Sequence, residues 1–268
     1  MAISMDQLTM SALDRVRWCA MRRRLRAVVG GQTIVDTLDV VQVWEPYRVV
    51  GSYAVPIVDV HPPITDPVAV TPAAHHPPIL TPDHPFSLHT CAGATWTIQS
   101  ADGPLYAAGF APDDPDLAGY IVLDFAAFDE WREEEQTVIS HPHDPFKRID
   151  CLPTSRHVVV SLDDVVLADT HRATLLLETH LPPRYYIPAD DVDLDRLEPS
   201  DTITTCAYKG HATYWSARAD DRTVADVAWT YRDPLNDAVP VRDLICFYDE
   251  RVDLEVTVAV GPGGRGAG

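Results

Sequence analysis

The chemically densest stretch of this chain is Thr204-Thr205-Cys206-Ala207-Tyr208-Lys209-Gly210-His211-Ala212-Thr213-Tyr214-Trp215-Ser216. It holds a thiol, an amine, an imidazole, two phenols and an indole within thirteen residues. Lys209 is one of two lysines in the sequence, the other being Lys147; every other cationic side chain apart from histidine is arginine. An ammonium three residues from a thiol, across a glycine turn, can lower the thiol pKa and make Cys206 a nucleophile. The amine can itself form a Schiff base or clamp an anion. The plainer reading is that Cys206 is a small buried hydrophobe and Lys209 a surface charge. Both readings stay open at this stage.

Glu178 closes the apolar run Thr174-Leu175-Leu176-Leu177. A carboxylate there needs a partner, because burying an unpaired charge is costly. Glu45 stands at the corresponding place in the first half of the chain. The competing reading is a strand end meeting solvent, or an ion pair with Arg184. Tyr185 and Tyr186 lie just beyond and can wall a pocket. Trp215, Trp229 and Tyr231 are spaced to show aromatic faces on neighbouring strands, where rings stack on a flat ligand or simply fill a core. The ligand-binding set expected from these arguments is Glu178, Tyr186, Cys206, Lys209, Tyr214, Trp215, Trp229 and Tyr231. Among them Cys206, Lys209 and Glu178 are the only catalytic candidates.

No cofactor and no metal are expected. His75, His76, His84 and His89 crowd one region, His141, His143 and Asp144 another, and Asp191, Asp193 and Asp195 alternate. None of these has the spacing of a zinc or calcium site. Phosphate-loop, dinucleotide, nucleophile-elbow and metalloprotease motifs are missing from the sequence.

These groups need elements to hold them. A length of 268 residues exceeds one typical domain. A hydrophobic content of 46% supports real cores. The formal net charge of −19 disfavours phosphate backbones and anionic membranes, so neither nucleic acid nor membrane is an expected partner. No apolar run is long enough to span a bilayer, and no secretory signal is read behind the arginines at 22–24. Five cysteines at long, irregular spacing read as reduced thiols in a cytoplasmic protein.

The sequence repeats itself. Gly30-Gly31 through Asp36-Thr37 superposes on Asp163-Asp164 through Asp169-Thr170, Glu45 on Glu178, and Asp59-Val60 on Asp191-Val192. His89-Thr90-Cys91-Ala92 superposes on Thr204-Thr205-Cys206-Ala207, and Asp114-Pro115 on Asp233-Pro234. The boundaries expected are a lead-in at 1–15, a first repeat at 16–139, a linker at 140–148, a second repeat at 149–260 and a disordered tail at 261–268. The repeats are expected to pair as an intramolecular pseudo-dimer. Each reads as mainly β, a small barrel or tent-like sheet with a few short helices. Val158–Leu162 and Val165–Ala168 flank an Asp-Asp hairpin turn, and Gly30-Gly31 does the same work in the first repeat. Thr174–Glu178 is expected to be buried on both faces, Asp124–Glu135 to be a helix, and the Pro- and His-rich stretch 61–84 to be a long loop.

Arg156-His157-Val158, Pro183-Arg184-Tyr185-Tyr186-Ile187-Pro188, the stretch from Thr205 to Trp215, and Ala228-Trp229-Thr230-Tyr231 together resemble the domain-of-unknown-function 427 family. The resemblance covers the whole second repeat, and the chain is similar to the tandem bacterial version. It implies a compact, mostly β domain and carries over no catalytic residue. The family has been filed under a nucleotidyltransferase heading, but this sequence has no Gly-Ser followed by a paired-aspartate strand. Ala207-Tyr208 stands where members often have Cys-Pro. The function expected is binding of a small molecule, of unknown identity, in a pocket of the second repeat. The alternatives are an enzyme using Cys206 or Lys209 covalently, and a non-catalytic structural or interaction module.

Overall fold

A computed structural model describes residues 2–219 and 222–258. The chain divides at Pro145/Phe146 into two compact units. The class is mainly β, with 21 strands in four sheets among the described residues. The tail at 261–268 lies outside them.

The first unit opens with helix α1 (Met5–Met10), whose N-terminus is closed by a capping box between Ser4 and Gln7. Its strands are β1 (Arg17–Ala20), β2 (Leu25–Val29), β3 (Gln32–Thr37), β4 (Val41–Trp44), β5 (Ser52–Pro56), β6 (Ile64–Val70), β7 (Gly93–Ser100), β8 (Gly103–Pro112), β9 (Tyr120–Leu123), β10 (Glu130–Glu133) and β11 (Gln136–Val138). The second unit has β12 (Ile149–Pro153), β13 (His157–Leu162), β14 (Val165–Thr170), β15 (Thr174–Glu178), β16 (Arg184–Ile187), β17 (Leu197–Cys206), β18 (Gly210–Ala219), β19 (Arg222–Tyr231), β20 (Ile245–Phe247) and β21 (Asp253–Thr257).

Each unit has one seven-stranded antiparallel sheet and one smaller sheet. The large sheets run β1-β4-β5-β9-β8-β7-β6 and β12-β15-β16-β20-β19-β18-β17. Place for place, these are the same order. The small sheets run β11-β10-β2-β3 and β14-β13-β21. The sheets are open, and no described strand pairing closes either large sheet into the barrel that the sequence allowed.

Two hairpin turns follow directly from sequence. Gly30-Gly31 joins β2 to β3 with φ of 56° and 74°, and Asp163-Asp164 joins β13 to β14 with φ of 50° and 65°. Two consecutive positive φ values make the primed turn whose twist matches that of the strands it joins. Glycine adopts it freely, and aspartate tolerates it.

Each large sheet is apolar on both faces. One face packs on the small sheet, through Leu25, Val35, Val55, Ile121 and Trp131 in the first unit and Val158, Leu167, Ile187, Val227 and Ile245 in the second. The other face carries a separate cluster, with Val43, Ala54, Phe110 and Val122 in the first unit and Leu176, Tyr186, Trp229 and Cys246 in the second. Central strands are therefore continuously buried, β4 and β20 throughout their lengths.

Three local expectations are corrected. The stretch 124–135 is not a helix. Asp124 accepts a hydrogen bond from Ala126 N and caps one 3₁₀ turn, Phe125–Ala127, and the chain then enters β10 between β2 and β11. The three-residue spacing of Phe125, Phe128 and Trp131, which suggests a helix, comes from that turn followed by a strand: Trp131 is buried and stacks on Phe125 at 5.3 Å. Glu133 does not face water; it is buried and bonded to Arg23 and Tyr53. Strand β15 is not buried on both faces, because Leu177 is 37% exposed towards the end of the sheet. The stretch 61–84 is not all loop, since β6 crosses it. Pro67 is accommodated there because β6 is an edge strand with an irregularity between Thr65 and Val68 and a positive φ at Asp66.

The Asp163-Asp164 turn gives a direct test. Asp164→Val places a β-branched side chain at positive φ and should lower stability by about 1–2 kcal/mol, whereas Asp164→Gly should be neutral or mildly stabilising. Urea denaturation of the two variants measures the difference.

Candidate functional site

Strand register gives each unit one row of residues across its large sheet. In the second unit the row is Thr174, Tyr186, Cys246, Trp229 and Tyr214. In the first it is Val41, Ala54, Val122, Phe110 and Thr95. Four residues beyond the first member of each row comes a glutamate, Glu178 or Glu45. The two carboxylates are thus equivalent by strand register as well as by sequence.

In the second unit the row and its neighbours surround a hollow of about 290 Å³, lined by Leu176, Glu178, Arg184, Thr204, Cys206, Lys209 and five aromatic rings. The rings are Tyr186, Tyr214, Trp229, Tyr231 and Tyr248. Strand alternation sets them there: Tyr214 on β18, Trp229 and Tyr231 on β19, and Tyr186 on β16 project to the same face. Trp229 Nε1 donates to the Tyr186 hydroxyl at 3.1 Å. The Tyr214 hydroxyl lies 2.8 Å from Thr204 Oγ1 and 3.3 Å from the Tyr248 hydroxyl. Burial raises the pKa of the Tyr186 and Tyr231 phenols well above the usual range. Burial, followed by the bond to Tyr214, moves Tyr248 up to about 12. These three phenols are therefore neutral at physiological pH and offer hydrogen bonds without charge.

The charged centre is Glu178, whose side chain is 6% exposed. Lys209 Nζ donates to its Oε2, and Lys147 Nζ lies 3.1 Å from its Oε1. Both lysines of the chain therefore meet on one carboxylate. Lys147 also donates to the Thr179 carbonyl at 3.0 Å and lies 5.9 Å from the Tyr208 ring centroid. Lys209 reaches Glu178 from the tight turn between β17 and β18, where Gly210 has φ of 96°. Arg184 is paired with Asp249 and Glu250 and lies 5.8 Å from the Trp229 ring and 5.7 Å from that of Tyr248. The ion pair between Glu178 and Arg184 weighed from sequence gives way to these partners.

Of the eight residues singled out in the sequence for ligand binding, seven line this hollow: Glu178, Tyr186, Cys206, Lys209, Tyr214, Trp229 and Tyr231. Trp215 does not. It follows Tyr214 on β18, so it projects to the other face and packs against the cluster beneath the small sheet. Arg184, Thr204 and Tyr248 line the hollow although sequence reasoning did not pick them for it. Arg184 stood within a segment already noted, but only strand order brings β16 beside β20, which Tyr248 follows. Two of the residues weighed for metals have evident structural roles. Asp191 bonds Thr170 and Arg172, and His89 packs in the first unit's core.

The first unit treats the equivalent face differently. Between β6 and β7 run 22 residues, 71–92, against three between β17 and β18. This longer segment folds onto the face and closes it. His89 stacks on Phe110 at 3.8 Å, and Phe86 meets His89 edge-on at 5.2 Å. His89 Nδ1 donates to Glu45 Oε1 at 3.0 Å, and the Thr90 amide donates to Oε2 at 2.8 Å. Arg48 holds the segment by donating to the carbonyls of Pro85 and Leu88, each at 2.9 Å. Counting back from Thr95 and Tyr214 makes Thr90, not Cys91, the counterpart of the lysine, so the sequence superposition of Cys91 on Cys206 is displaced from the strand register. Lys209 and the Thr90 amide each donate to the second carboxylate oxygen, which in the first unit also accepts from the Cys91 thiol at 3.8 Å.

Residues 150–258 match the family model described as Domain of unknown function (DUF427). The match runs from β12 to β21 and takes in Glu178, Lys209 and the whole ring-lined hollow. No curated protein matches the chain.

Two outcomes follow from this geometry. Glu178→Gln leaves two ammonium groups at a mostly buried position without their counter-charge and should cost about 3–5 kcal/mol, measured by urea denaturation. The Cys91 thiol is pushed from 9.0 up to about 12, first by burial and then by the Glu45 charge. Its folded pKa is the raised one, so its contribution to stability is complete below the unfolded value and is lost as pH climbs from about 9 towards 12. Alkylation of Cys91 in the native protein should therefore stay slow at about pH 9, while the urea-unfolded chain reacts readily; peptide mapping by mass spectrometry reads both.

Proposed function

We propose that the second unit, whose residues 150–258 match the DUF427 model, is a small-molecule binding module and that the ring-lined hollow is its site. One observation carries this reading. Two sheets of identical strand order treat the same face in opposite ways: the first unit fills it with its own chain, and the second leaves a hollow of about 290 Å³ walled by rings, hydroxyls and an ion cluster. The volume lies near the lower end of the roughly 300–1,000 Å³ common for ligand sites, which suits a compound of one or two rings. The same comparison supports descent of the two units from one duplicated domain, the first having given up its site.

Covalent chemistry gains less support. An amine acts as a nucleophile only when neutral, and the Lys209 amine is bonded to a carboxylate. The wholly structural reading requires buried aromatics with no cleft, whereas here five rings border open space.

The test is occupancy. Crystals or NMR samples are exposed to phenol and indole at high concentration, using the wild type and Cys206→Trp, whose larger side chain fills the hollow. Either probe should occupy the hollow in the wild type and raise its melting temperature, because a compound that binds only the folded state stabilises it. Both effects should vanish in Cys206→Trp. A hollow that takes up neither probe, or stabilisation that survives the filled variant, would overturn the reading.

A further inference from the structure

We infer that the hollow of the second unit takes a planar anionic compound, an arene carboxylate or its chemical equivalent, with the anion on Lys209; this rests on the binding reading above. The two units neutralise the equivalent carboxylate differently. In the closed unit, Glu45 is satisfied by a ring N–H and a backbone amide, with Arg48 Nε farther off at 3.7 Å. In the open unit, Glu178 is met by two ammonium groups. At the equivalent position a neutral amide donor, that of Thr90, is replaced by a charged one, Lys209 Nζ. One carboxylate against two ammoniums leaves an excess positive charge, and Lys209 brings it to the wall of the hollow.

The neighbouring acids do not cancel that excess. Asp249 and Glu250 face two cations, Arg184, which pairs with both, and Arg251, whose charge also acts on Glu250, and Asp150 is paired with Arg148. Asp237 stands on the exposed side of its turn. An ammonium has three N–H donors; Lys209 spends one on Glu178, and its side chain is only 11% exposed. Partly buried charge is costly unless paired, so an anion entering the hollow gains where a neutral ring does not. Each side of the hollow then has its complement: rings for the planar part, phenol hydroxyls for polar edges and Lys209 for the anion. The chain carries a net charge of −19 and has only two lysines. Placing both beside the hollow offsets locally the field that would otherwise repel such a ligand.

The probes are indole-3-carboxylate and its neutral amide, titrated by calorimetry at low and high salt into the wild type, Lys209→Met and Lys147→Met. The carboxylate should bind at least about tenfold more tightly than the amide at low salt, with the gap narrowing as salt rises. Lys209→Met should abolish the gap between carboxylate and amide, and Lys147→Met should narrow it less. Should Lys209→Met fail to fold, the wild-type comparison and its salt dependence still decide whether the site prefers an anion, and the NMR signals of the two lysine side chains, of which Lys209 should shift with the carboxylate and not with the amide, decide where it sits. Equal binding of the two probes would overturn the anion inference and leave the binding reading standing. Binding of neither would overturn both. A gap that persists in Lys209→Met would place the anion elsewhere and overturn the assignment to Lys209.

Discussion

A carboxylate at the end of a buried strand sets the terms for both units. Glu45 is 3% exposed, and the Glu178 side chain 6%. Neither can stay charged there without donors on both oxygens. Each unit must therefore bring a chain segment to that spot, and the choice of segment decides what becomes of the adjoining face. The first unit brings a long one, which supplies its donors and covers the face as it passes. The second brings a tight glycine turn, which delivers one long flexible side chain and covers nothing. The open hollow is in this sense a consequence of how a buried charge is satisfied.

The large sheet makes that choice possible. It is apolar on both faces, and the small sheet covers only one. The other face needs a different cover, and in each unit a cluster of side chains and connecting segments supplies it. At its centre β20 and the end of β19 are buried on both sides, which gives the row that crosses them a packed floor. Chemistry can change on that face without disturbing the core between the sheets. Trp215 shows the separation: one residue from Tyr214, it belongs to the opposite cluster and takes no part in the hollow.

Much of this was legible from residue types. The paired Asp-Thr and turn residues betrayed the recurring β pattern, because a primed turn demands Gly or Asp at positive φ. The density of functional groups from Cys206 to Tyr214 marked the turn and strand that supply Cys206, Lys209 and Tyr214 to the hollow's wall. What sequence spacing could not supply was the partner of each strand. Arg184 and Tyr248 join the hollow only because β16 and β20 are neighbours, a fact of long-range pairing. The false helix at 124–135 has the same origin. A three-residue aromatic spacing fits a helix, and only the pairing of β10 with β2 and β11 selects the strand. The opposite mistake at Trp215 came from grouping residues by closeness in sequence, when strand alternation sends neighbours to opposite faces.

A hollow needs walls that do not collapse, and here the two rows diverge in a way that matches their fates. Where the second unit has Tyr186 and Tyr214, the first has Ala54 and Thr95. Small side chains cannot hold a cavity open, and a void lined by them would forfeit packing contacts. Filling it requires material from elsewhere, which Phe86 and His89 provide. The second unit's rings are large, and their polar ends are anchored: Trp229 to the Tyr186 hydroxyl, Tyr214 to Thr204, and Arg184 against Trp229 and Tyr248. Anchored rings resist closing inward because each would have to break a hydrogen bond or a cation–π contact to do so. Wall residues and loop length therefore vary together: large tethered rings keep the second hollow open beneath a short turn, and small residues oblige the first to carry a long segment over the same place.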